Sequence, residues 1–402
     1  MPFTNRRQFI RQASIVTAAF SGLQRWAEGA ETAEQAKAKS LDAKLREDGH
    51  GVIDLLPGFE YTIFSEQGDR MDDGFHIPGK HDGMGVFAGP DGKTILVRNH
   101  ELDPDMGDLS AWQKKRSLLH KIPQDKFYDI GKGKAPSIGG TTTVVFDTQN
   151  KRVERQWLSL IGTNHNCAGG VMPWGSWLTC EEASQTVGGN IEKDHGYNFE
   201  VPANAEGLVT PVPLKAMGRF WHEALAHEPK SGIIYQTEDR GEGLFYRFIP
   251  TERGKLAAGG KLQALRLREQ ASADTRNYRK KVFKVGERHA VEWVDIENVE
   301  DPNDELRFQG FYDKKCARFA RGEGIWLGKD GLYFTCTDGG TKRKGQIWRY
   351  VPSPAEGTSE EGKEPGMLEL FIEPEDGDLV ENCDNVTMAP WGDLIVCEDG
   401  GS

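Results

Sequence analysis

The amino-acid sequence predicts an all-β protein, and within that class a β-propeller. Three observations favour this fold. The 402 residues include 48 glycines, the apolar runs are short, and a weak repeat recurs along the chain. In each copy of the repeat, a glycine opens an apolar strand. The five copies are DGKTILVRNHE from Asp91, WGSWLTCEE from Trp174, SGIIYQTED from Ser231, DGLYFTCTD from Asp330 and WGDLIVCED from Trp391.

The N-terminal segment, residues 1–30, is typical of an export signal. It contains TNRRQFIRQASIVTAAFSGLQ, in which Arg6 and Arg7 precede an apolar run too short to span a bilayer. This arrangement resembles a twin-arginine signal, and a disordered basic terminus is the alternative. We therefore expect the twin-arginine export machinery as a partner, a periplasmic or extracellular location and no stable membrane insertion. A linker or short helix would follow over residues 31–49, and the propeller over residues 50–402.

The charge of the chain disfavours large polyanions as partners. The formal net charge is −12 at pH 7, and an acidic protein is repelled by nucleic acid and by anionic membrane surfaces. We expect no nucleic acid partner, and we expect the protein to act as a monomer on a small molecule. An anionic substrate is compatible with this charge where cations neutralise the carboxylates locally.

Each copy of the repeat carries polar residues at matched positions on both sides of its turn. Seven residues after the glycine, four copies place a carboxylate and the first copy an amide; these residues are Glu182, Asp239, Asp338, Asp399 and Asn99. Eight or nine residues before the glycine, four copies place another possible ligand; these are Cys167, Glu223, Glu323 and Asp384. The unit is therefore a β-hairpin flanked by polar residues.

The hairpins are expected to assemble around an axis. A two-stranded hairpin cannot bury its own apolar face, so the copies must pack against one another as propeller blades. Equivalent positions of the blades then converge near the axis. Cys167, Glu223, Glu323 and Asp384 should therefore meet at one mouth of the central channel.

A ring of acidic residues at that mouth implies bound cations. A single acid at a strand end is more often a solvated turn residue than a ligand. Crowded carboxylates, however, repel one another and raise their own pKa values unless cations bind between them, and oxygen-rich sites suit Ca2+. The thiol of Cys167 favours a transition metal such as iron, and a sulfur can bridge two metal ions. HE pairs at residues 100–101 and 222–223 indicate zinc only weakly, because no HExxH motif accompanies them.

Three of the other cysteines are expected to be structural. Cys180, Cys336 and Cys397 each lie five residues after the glycine of their repeat, at equivalent positions of different blades. Such positions are usually too far apart for a disulfide, so we interpret these residues as small core residues. Cys316 and Cys383 receive no role from the repeat.

Arg321 is the candidate anion-binding residue. In the segment FARGEGIWL it stands two residues before Glu323, on the same side of an extended chain. A guanidinium beside a metal cluster can hold a phosphate or a carboxylate through two hydrogen bonds. A surface salt bridge is the alternative.

Four long segments resemble the PhoX family of exported alkaline phosphatases. They are GTNHNCAGGVMPWGSWLTCEE, GRFWHEALAHEPKSGIIYQTEDRGEGLFYRFIP, FARGEGIWLGKDGLYFTCTDGG and DNVTMAPWGDLIVCEDG. The resemblance covers most of residues 50–402. It implies a six-bladed propeller that hydrolyses phosphate monoesters at an iron and calcium cluster on its axis, after export by the twin-arginine route.

The resemblance also implies roles for the residues that the repeat singles out. Cys167 would bridge two ferric ions (Fe3+), and Arg321 would contact the phosphate. The carboxylate ligands would be Glu223, Glu323 and Asp384, with Glu182 directed toward Ca2+.

The sequence also departs from the family pattern. It ends at CEDGGS, within a blade, so we expect the last blade to be incomplete and the propeller to be C-terminally truncated. His165 stands where the family tends to have an amide, and Gly322 stands where proline is common. Two other functions stay open: a calcium-dependent propeller hydrolase such as a lactonase, and a non-catalytic calcium-binding scaffold.

Overall fold

The structure is a computed structural model that describes residues 48–49, 51–55, 59–113, 116–377, 379–390 and 392–399. The predicted export signal and most of the predicted linker lie outside these residues, so both stay predictions. Within the described ranges, no helix combines the length and the apolarity that crossing a membrane requires.

The described chain is dominated by short antiparallel strands. Their bounds are β1 (His81–Ala88), β2 (Thr94–His100), β3 (Gly139–Asp147), β4 (Arg152–Thr163), β5 (Asn166–Met172), β6 (Ser176–Glu181), β7 (Asn198–Pro202), β8 (His222–His227), β9 (Ile234–Glu238), β10 (Phe245–Pro250), β11 (Gly260–Leu267), β12 (Arg288–Asp295), β13 (Gly322–Leu327), β14 (Leu332–Cys336), β15 (Gln346–Val351), β16 (Met367–Ile372), β17 (Cys383–Met388) and β18 (Leu394–Glu398).

Among the described residues, helices lie only in the connections between strands, and most of them are single turns. A one-turn α-helix, α1 (Leu306–Phe308), continues into a π-helical turn at Gln309–Asp313. The 3-10 turns are Pro90–Gly92, Gly107–Leu109, Arg116–Lys121, Gln124–Lys126, Gly131–Gly133, Lys215–Met217 and Leu256–Ala258.

The strands form blades that follow one another in chain order, which confirms the predicted β-propeller. Blade 1 contains β1 to β4, blade 2 contains β5 to β7, and blade 3 contains β8 to β11. Blade 4 contains β13 to β16, and blade 5 contains β17 and β18. Strand β12 pairs with both β11 and β16, so blades 3 and 4 share one nine-stranded sheet.

The first strand of each blade lines the centre of the molecule. These inner strands, β1, β5, β8, β13 and β17, pack side by side in that order. Glycines allow the close approach: a Cβ added to Gly170 would lie 2.4 Å from the carbonyl oxygen of Leu225, and one added to Gly324 would lie 2.6 Å from the nitrogen of Val386. Neither position has room for a side chain.

The hydrophobic core lies between neighbouring blades. Its largest cluster joins blades 3 and 4, where Phe245 stacks on Phe334 with ring centroids 4.3 Å apart. Tyr235, Trp348 and Tyr350 are buried in the same cluster. This packing is the burial that an isolated hairpin cannot supply.

Two of the three cysteines that were expected to be core residues are confirmed: Cys180 and Cys336 are fully buried. All six cysteines are free. The prediction for Cys397 is wrong: this residue is exposed on β18, because no strand among the described residues covers that face of blade 5. On β1, at the other end of the row of inner strands, Met84 and Val86 are also exposed, at 48% and 59%. That the last blade is incomplete stays a prediction.

Candidate metal centre

A matched irregularity in the inner strands creates the site. Each inner strand breaks register with the second strand of its blade at its first few residues; the breaks are His81/Met84, Asn166/Gly169, His222/Leu225, Gly322/Ile325 and Cys383/Val386. Such a bulge bends a strand and redirects a side chain. The second residue of each strand carries a possible metal ligand; these residues are Asp82, Cys167, Glu223, Glu323 and Asp384.

The structure brings together all five residues predicted to bind metal. Ligand atoms of Glu223, Glu323 and Asp384 lie within 4.8 Å of one another, and so do ligand atoms of Cys167, Glu182 and Glu223. Because Glu223 belongs to both groups, the five residues form one continuous cluster. Their role as metal ligands stays a prediction.

Two further groups extend the cluster through residues that sequence analysis missed. Asp82, Glu101 and Cys167 form one group, and Glu101, His165 and Glu182 form the other, each within the same 4.8 Å limit. Cys167 and Glu182 therefore connect the predicted residues to Asp82, Glu101 and His165. The cluster is richer in carboxylates than the repeat indicated.

Strand register explains why Asp82 and Glu101 were missed. Asp82 lies ten residues before Gly92, not eight, because the β1–β2 turn contains the extra 3-10 turn. In blade 1, the first residue of the inner strand, His81, pairs with His100; in blade 2, the corresponding residue, Asn166, pairs with Glu181. The residue that follows each partner is therefore equivalent, so Glu101 corresponds to Glu182, and Asn99 does not. The strand bounds mark both residues: Asp82 is the second residue of β1, as Cys167 is of β5, and Glu101 directly follows β2, as Glu182 follows β6.

The same register corrects the fourth copy of the repeat. Cys336 pairs with Gly322, so Thr337 occupies the position that the seven-residue count gave to Asp338. In the third copy, Glu238 pairs with His222, and Asp239 is the equivalent of Glu182 as predicted. The carboxylates at this level therefore come from blades 1, 2, 3 and 5, and not from blade 4.

Three hydrogen bonds between neighbouring blades hold the strands that carry the candidate ligands. A side chain near the end of β2, β9 or β14 donates to the backbone carbonyl of a candidate ligand. The bonds run from Asn99 to Cys167, from Thr237 to Glu323 and from Thr335 to Asp384. Asn99 thus has a structural role: its Nδ2 lies 2.8 Å from the Cys167 carbonyl oxygen, and its Oδ1 accepts from the Trp177 indole at 2.9 Å.

Burial and mutual repulsion disfavour ionisation of the cluster. Burial raises the pKa of Glu223 and of Glu323 well above the usual value, and neighbouring carboxylates add to the effect. Burial is also the largest cause that raises the pKa of Glu182 and of Asp82 to about 7. The thiol of Cys167 has a raised pKa for the same reasons. Without cations, these groups therefore retain protons to higher pH than ordinary carboxylates and thiols do.

One buried carboxylate oxygen of the cluster has no hydrogen-bond partner among the described residues. Glu223 is 1% exposed, and its Oε2 makes no hydrogen bond within the described residues. A buried unpaired carboxylate oxygen is costly, and a bound cation removes that cost. The donor set, carboxylate oxygens with a single sulfur, fits hard cations beside a transition metal.

Arg321 lies against the cluster and is held by two carboxylates. Its Nε and Nη2 each lie 2.8 Å from an oxygen of Asp239, and Nη2 also lies 2.7 Å from Oε1 of Glu323. Its Nη1 makes no hydrogen bond with any described residue, and the side chain is 33% exposed. The pairing with Asp239 raises the pKa of Arg321, so the guanidinium is cationic across the physiological range.

His165 lies among three carboxylates. Its Nε2 lies 2.9 Å from Glu101 and 3.4 Å from Glu182, and its Nδ1 lies 3.1 Å from Asp103. Burial lowers its pKa, but the hydrogen bonds to Glu101 and Glu182 outweigh this and raise it to about 11. In the metal-free protein His165 is therefore an internal cation.

Comparisons with known proteins point to one family. Residues 39–402 match the family model described as alkaline phosphatase PhoX. Among solved structures, PhoX of Pseudomonas fluorescens in complex with vanadate, a transition state analogue, is similar with a TM-score of 0.58 and 17% identity, over 86% of this chain and 81% of that one. This likeness shows the fold.

A second solved structure is more distant. The periplasmic gluconolactonase of Pseudomonas aeruginosa has a TM-score of 0.35 and 12% identity, over 76% of this chain and 62% of that one. A likeness this weak carries no argument about the present chain. No curated protein matches the chain.

Proposed function

Because this chain belongs to the PhoX family of alkaline phosphatases, we propose that it is a metal-dependent phosphomonoesterase whose cluster of acids and Cys167 binds Fe3+ and Ca2+. Glu223, Glu323 and Asp384 would hold the iron together with the sulfur of Cys167. Glu182 would bind calcium. The expected substrate is a small phosphate monoester.

One observation carries this proposal. A thiol and buried carboxylates lie within 4.8 Å of one another, directly beside an arginine whose Nη1 makes no hydrogen bond with the described residues. Carboxylates alone would suit a calcium scaffold. The sulfur adds a preference for a transition metal, and the arginine adds affinity for an anion, so the three features together favour phosphoryl chemistry.

Asp82 and Glu101 extend the proposed ligand set. Both belong to a group with Cys167, and Glu101 also belongs to the group with Glu182. Their oxygens suit the hard cation, because Ca2+ takes six to eight oxygen ligands. We therefore assign the calcium side of the cluster to Asp82, Glu101 and Glu182.

Arg321 would bind the phosphate through its free Nη1. Asp239 and Glu323 hold the other donors of the guanidinium, so the group is oriented before the substrate arrives, and less entropy is lost on binding. Its raised pKa keeps the positive charge at alkaline pH. Charge that develops on the phosphoryl oxygens in the transition state would then meet a fixed cation.

When bound, Fe3+ and Ca2+ would supply Lewis acidity that polarises the phosphoryl group. The protein would hold the ligands of these ions in fixed positions. The hydrogen bonds from Asn99, Thr237 and Thr335 fix the backbone of Cys167, Glu323 and Asp384, so the ligands cannot easily spread apart. Such support around metal ligands commonly contributes about 10- to 100-fold in metal affinity or activity.

Metal analysis combined with an assay tests the proposal. Purified protein should contain both iron and calcium, and it should hydrolyse an aryl phosphate. Removal of calcium with a chelator should abolish this activity, and added calcium should restore it. Activity that survives the chelator, or activity on a lactone with none on a phosphate ester, would contradict the proposal.

We also propose export by the twin-arginine route, with the protein working in the periplasm or outside the cell as a monomer. The paired Arg6 and Arg7 ahead of an apolar run support the route. Elution at the size of a single chain in size-exclusion chromatography would support the monomer.

A further inference from the structure

A cavity lies at the end of the inner strands that is remote from the metal centre. It has a volume of about 800 Å³ and is lined by the β8–β9 turn, the β13–β14 turn and the segment from Val351 to Thr358. Five residues of extended chain separate Glu323 from Gly328, which amounts to about 17 Å. The cavity and the metal centre are therefore separate sites. We call this cavity the turn-side cleft.

The floor of the turn-side cleft is apolar. It includes Ile233, Ile249, Leu327 and Val351, and Ile233 is 1% exposed. The volume lies in the range of small-molecule pockets, about 300–1,000 Å³, which are mostly apolar with a few charged groups at defined positions. The cleft therefore has the size and lining to bury the body of a small organic molecule.

The acidic residues of the cleft are already engaged by the protein. Glu228 accepts hydrogen bonds from the backbone nitrogen and the hydroxyl of Ser231, both at 2.7 Å. Glu356 accepts from Tyr235 at 2.7 Å, from Tyr350 at 2.8 Å and from Arg247 at 2.6 Å. Asp330 accepts from Tyr333 and Arg349. Arg349 and Arg247 therefore balance the charges of Asp330 and Glu356, whereas the charge of Glu228 meets only neutral donors and the nearby Lys230.

The basic residues of the cleft are not engaged in this way. Lys230, Arg253 and Lys329 are exposed at its rim. Arg253 donates only to the backbone carbonyl of Lys230, at 3.0 Å, and none of the three forms an ion pair with a carboxylate within the described residues. With Lys230 close to Glu228, Arg253 and Lys329 remain as basic residues of the rim, in a protein of net charge −12, and they can attract an anion locally.

We propose that the turn-side cleft binds a small amphipathic anion, a molecule with an apolar or aromatic body and a sulfonate, carboxylate or phosphate group. The apolar floor would take the body, and Lys230, Arg253 and Lys329 would take the charge. This site is independent of the phosphatase proposal, because none of its residues belongs to the metal centre.

Two probes with the same ring system test the proposal. The anion 8-anilino-1-naphthalenesulfonate should bind the full chain with one molecule per chain, measured by fluorescence titration. The uncharged N-phenyl-1-naphthylamine should bind about tenfold more weakly. Inorganic sulfate should not displace the anionic probe at millimolar concentration, because sulfate lacks the apolar body.

Charge variants locate the binding. The double variant Lys230→Gln/Lys329→Gln should weaken binding of the anionic probe about tenfold, since it removes two charge attractions at the rim, and it should leave aryl phosphate hydrolysis unchanged. The matched control Lys261→Gln/Lys314→Gln removes the same charge from surface ion pairs with Asp295 and Glu297. It should bind the probe as the wild type does.

Three results would overturn the proposal. Equal affinity for the two probes would show that the rim charges do not contribute. Equal loss of binding in both double variants would show that the effect is one of net charge and not of the cleft. Probe binding that falls as protein concentration rises would assign the cleft to contacts between copies of the chain.

Discussion

Replacing Cys167 with alanine is the sharpest test of the metal centre. The sulfur of Cys167 lies within 4.8 Å of ligand atoms of Asp82 and Glu101 on one side and of Glu182 and Glu223 on the other. Together with Glu182, it thus joins the two halves of the cluster. If it binds iron, its charge transfer to Fe3+ should give the purified protein a visible colour, and the alanine variant should lose both colour and iron.

The expected size of the effect differs between the metal-free and metal-loaded protein. Burial and nearby carboxylates raise the pKa of Cys167, so the metal-free protein holds a neutral thiol, and its removal leaves the charge of the cluster unchanged. The residue is only partly buried, so metal-free stability should change by less than about 1 kcal/mol. Metal affinity should fall at least 10- to 100-fold, the cost typical of losing a residue that merely supports a ligand.

The assay combines iron content, visible absorbance, aryl phosphate hydrolysis and thermal unfolding with and without chelator. Cys316→Ala is the control, because Cys316 is fully buried and its Sγ lies 3.8 Å from the Ala264 carbonyl oxygen, within blade 3. This control should cost about 1 kcal/mol of stability and keep the colour. If Cys167→Ala stays coloured, iron-loaded and active, Cys167 is a packing residue and the proposed chemistry is wrong.

The remaining predictions concern the arginine, the carboxylates and the export signal. Asp239→Asn should raise KM for an aryl phosphate about tenfold, because a neutral amide orients Arg321 less firmly than a charge-assisted pair; kinetics equal to those of the wild type would argue against this positioning role. The folded-state pKa values of Asp82 and Glu182, about 7, lie above their ordinary values of 3.8 and 4.5, so the folded metal-free protein binds extra protons. Its stability should therefore fall as the pH rises from about 4 to 7. Denaturant unfolding should show this fall in metal-free protein and not in metal-loaded protein; a flat profile in both would contradict the crowding argument. Replacement of Arg6 and Arg7 by lysine should leave the precursor in the cytoplasm on cell fractionation, and normal export of that variant would exclude the twin-arginine route.

The repeat made the propeller predictable from sequence. A glycine followed by an apolar strand is a local pattern, and the need to bury one face of each hairpin follows from composition alone. The same pattern pointed to Cys167, Glu223, Glu323 and Asp384, because residues at one position of a repeat occupy one level of a propeller. Arg321 followed from its place two residues before Glu323 on an extended strand.

Only the tertiary structure decided the remaining members of the cluster. Counting along the chain from the turn glycine fails where a turn changes length, and the longer β1–β2 turn hid Asp82 and replaced Glu101 with Asn99 in the count. The contacts of Asn99 with the backbone of Cys167 and of Asp239 with Arg321 join different blades. No local pattern encodes them, because they depend on how one blade packs on the next. The tertiary structure also decided that Cys397 is exposed while Cys180 and Cys336 are buried. The three residues occupy equivalent strand positions, but whether each is buried depends on the neighbouring elements that cover it.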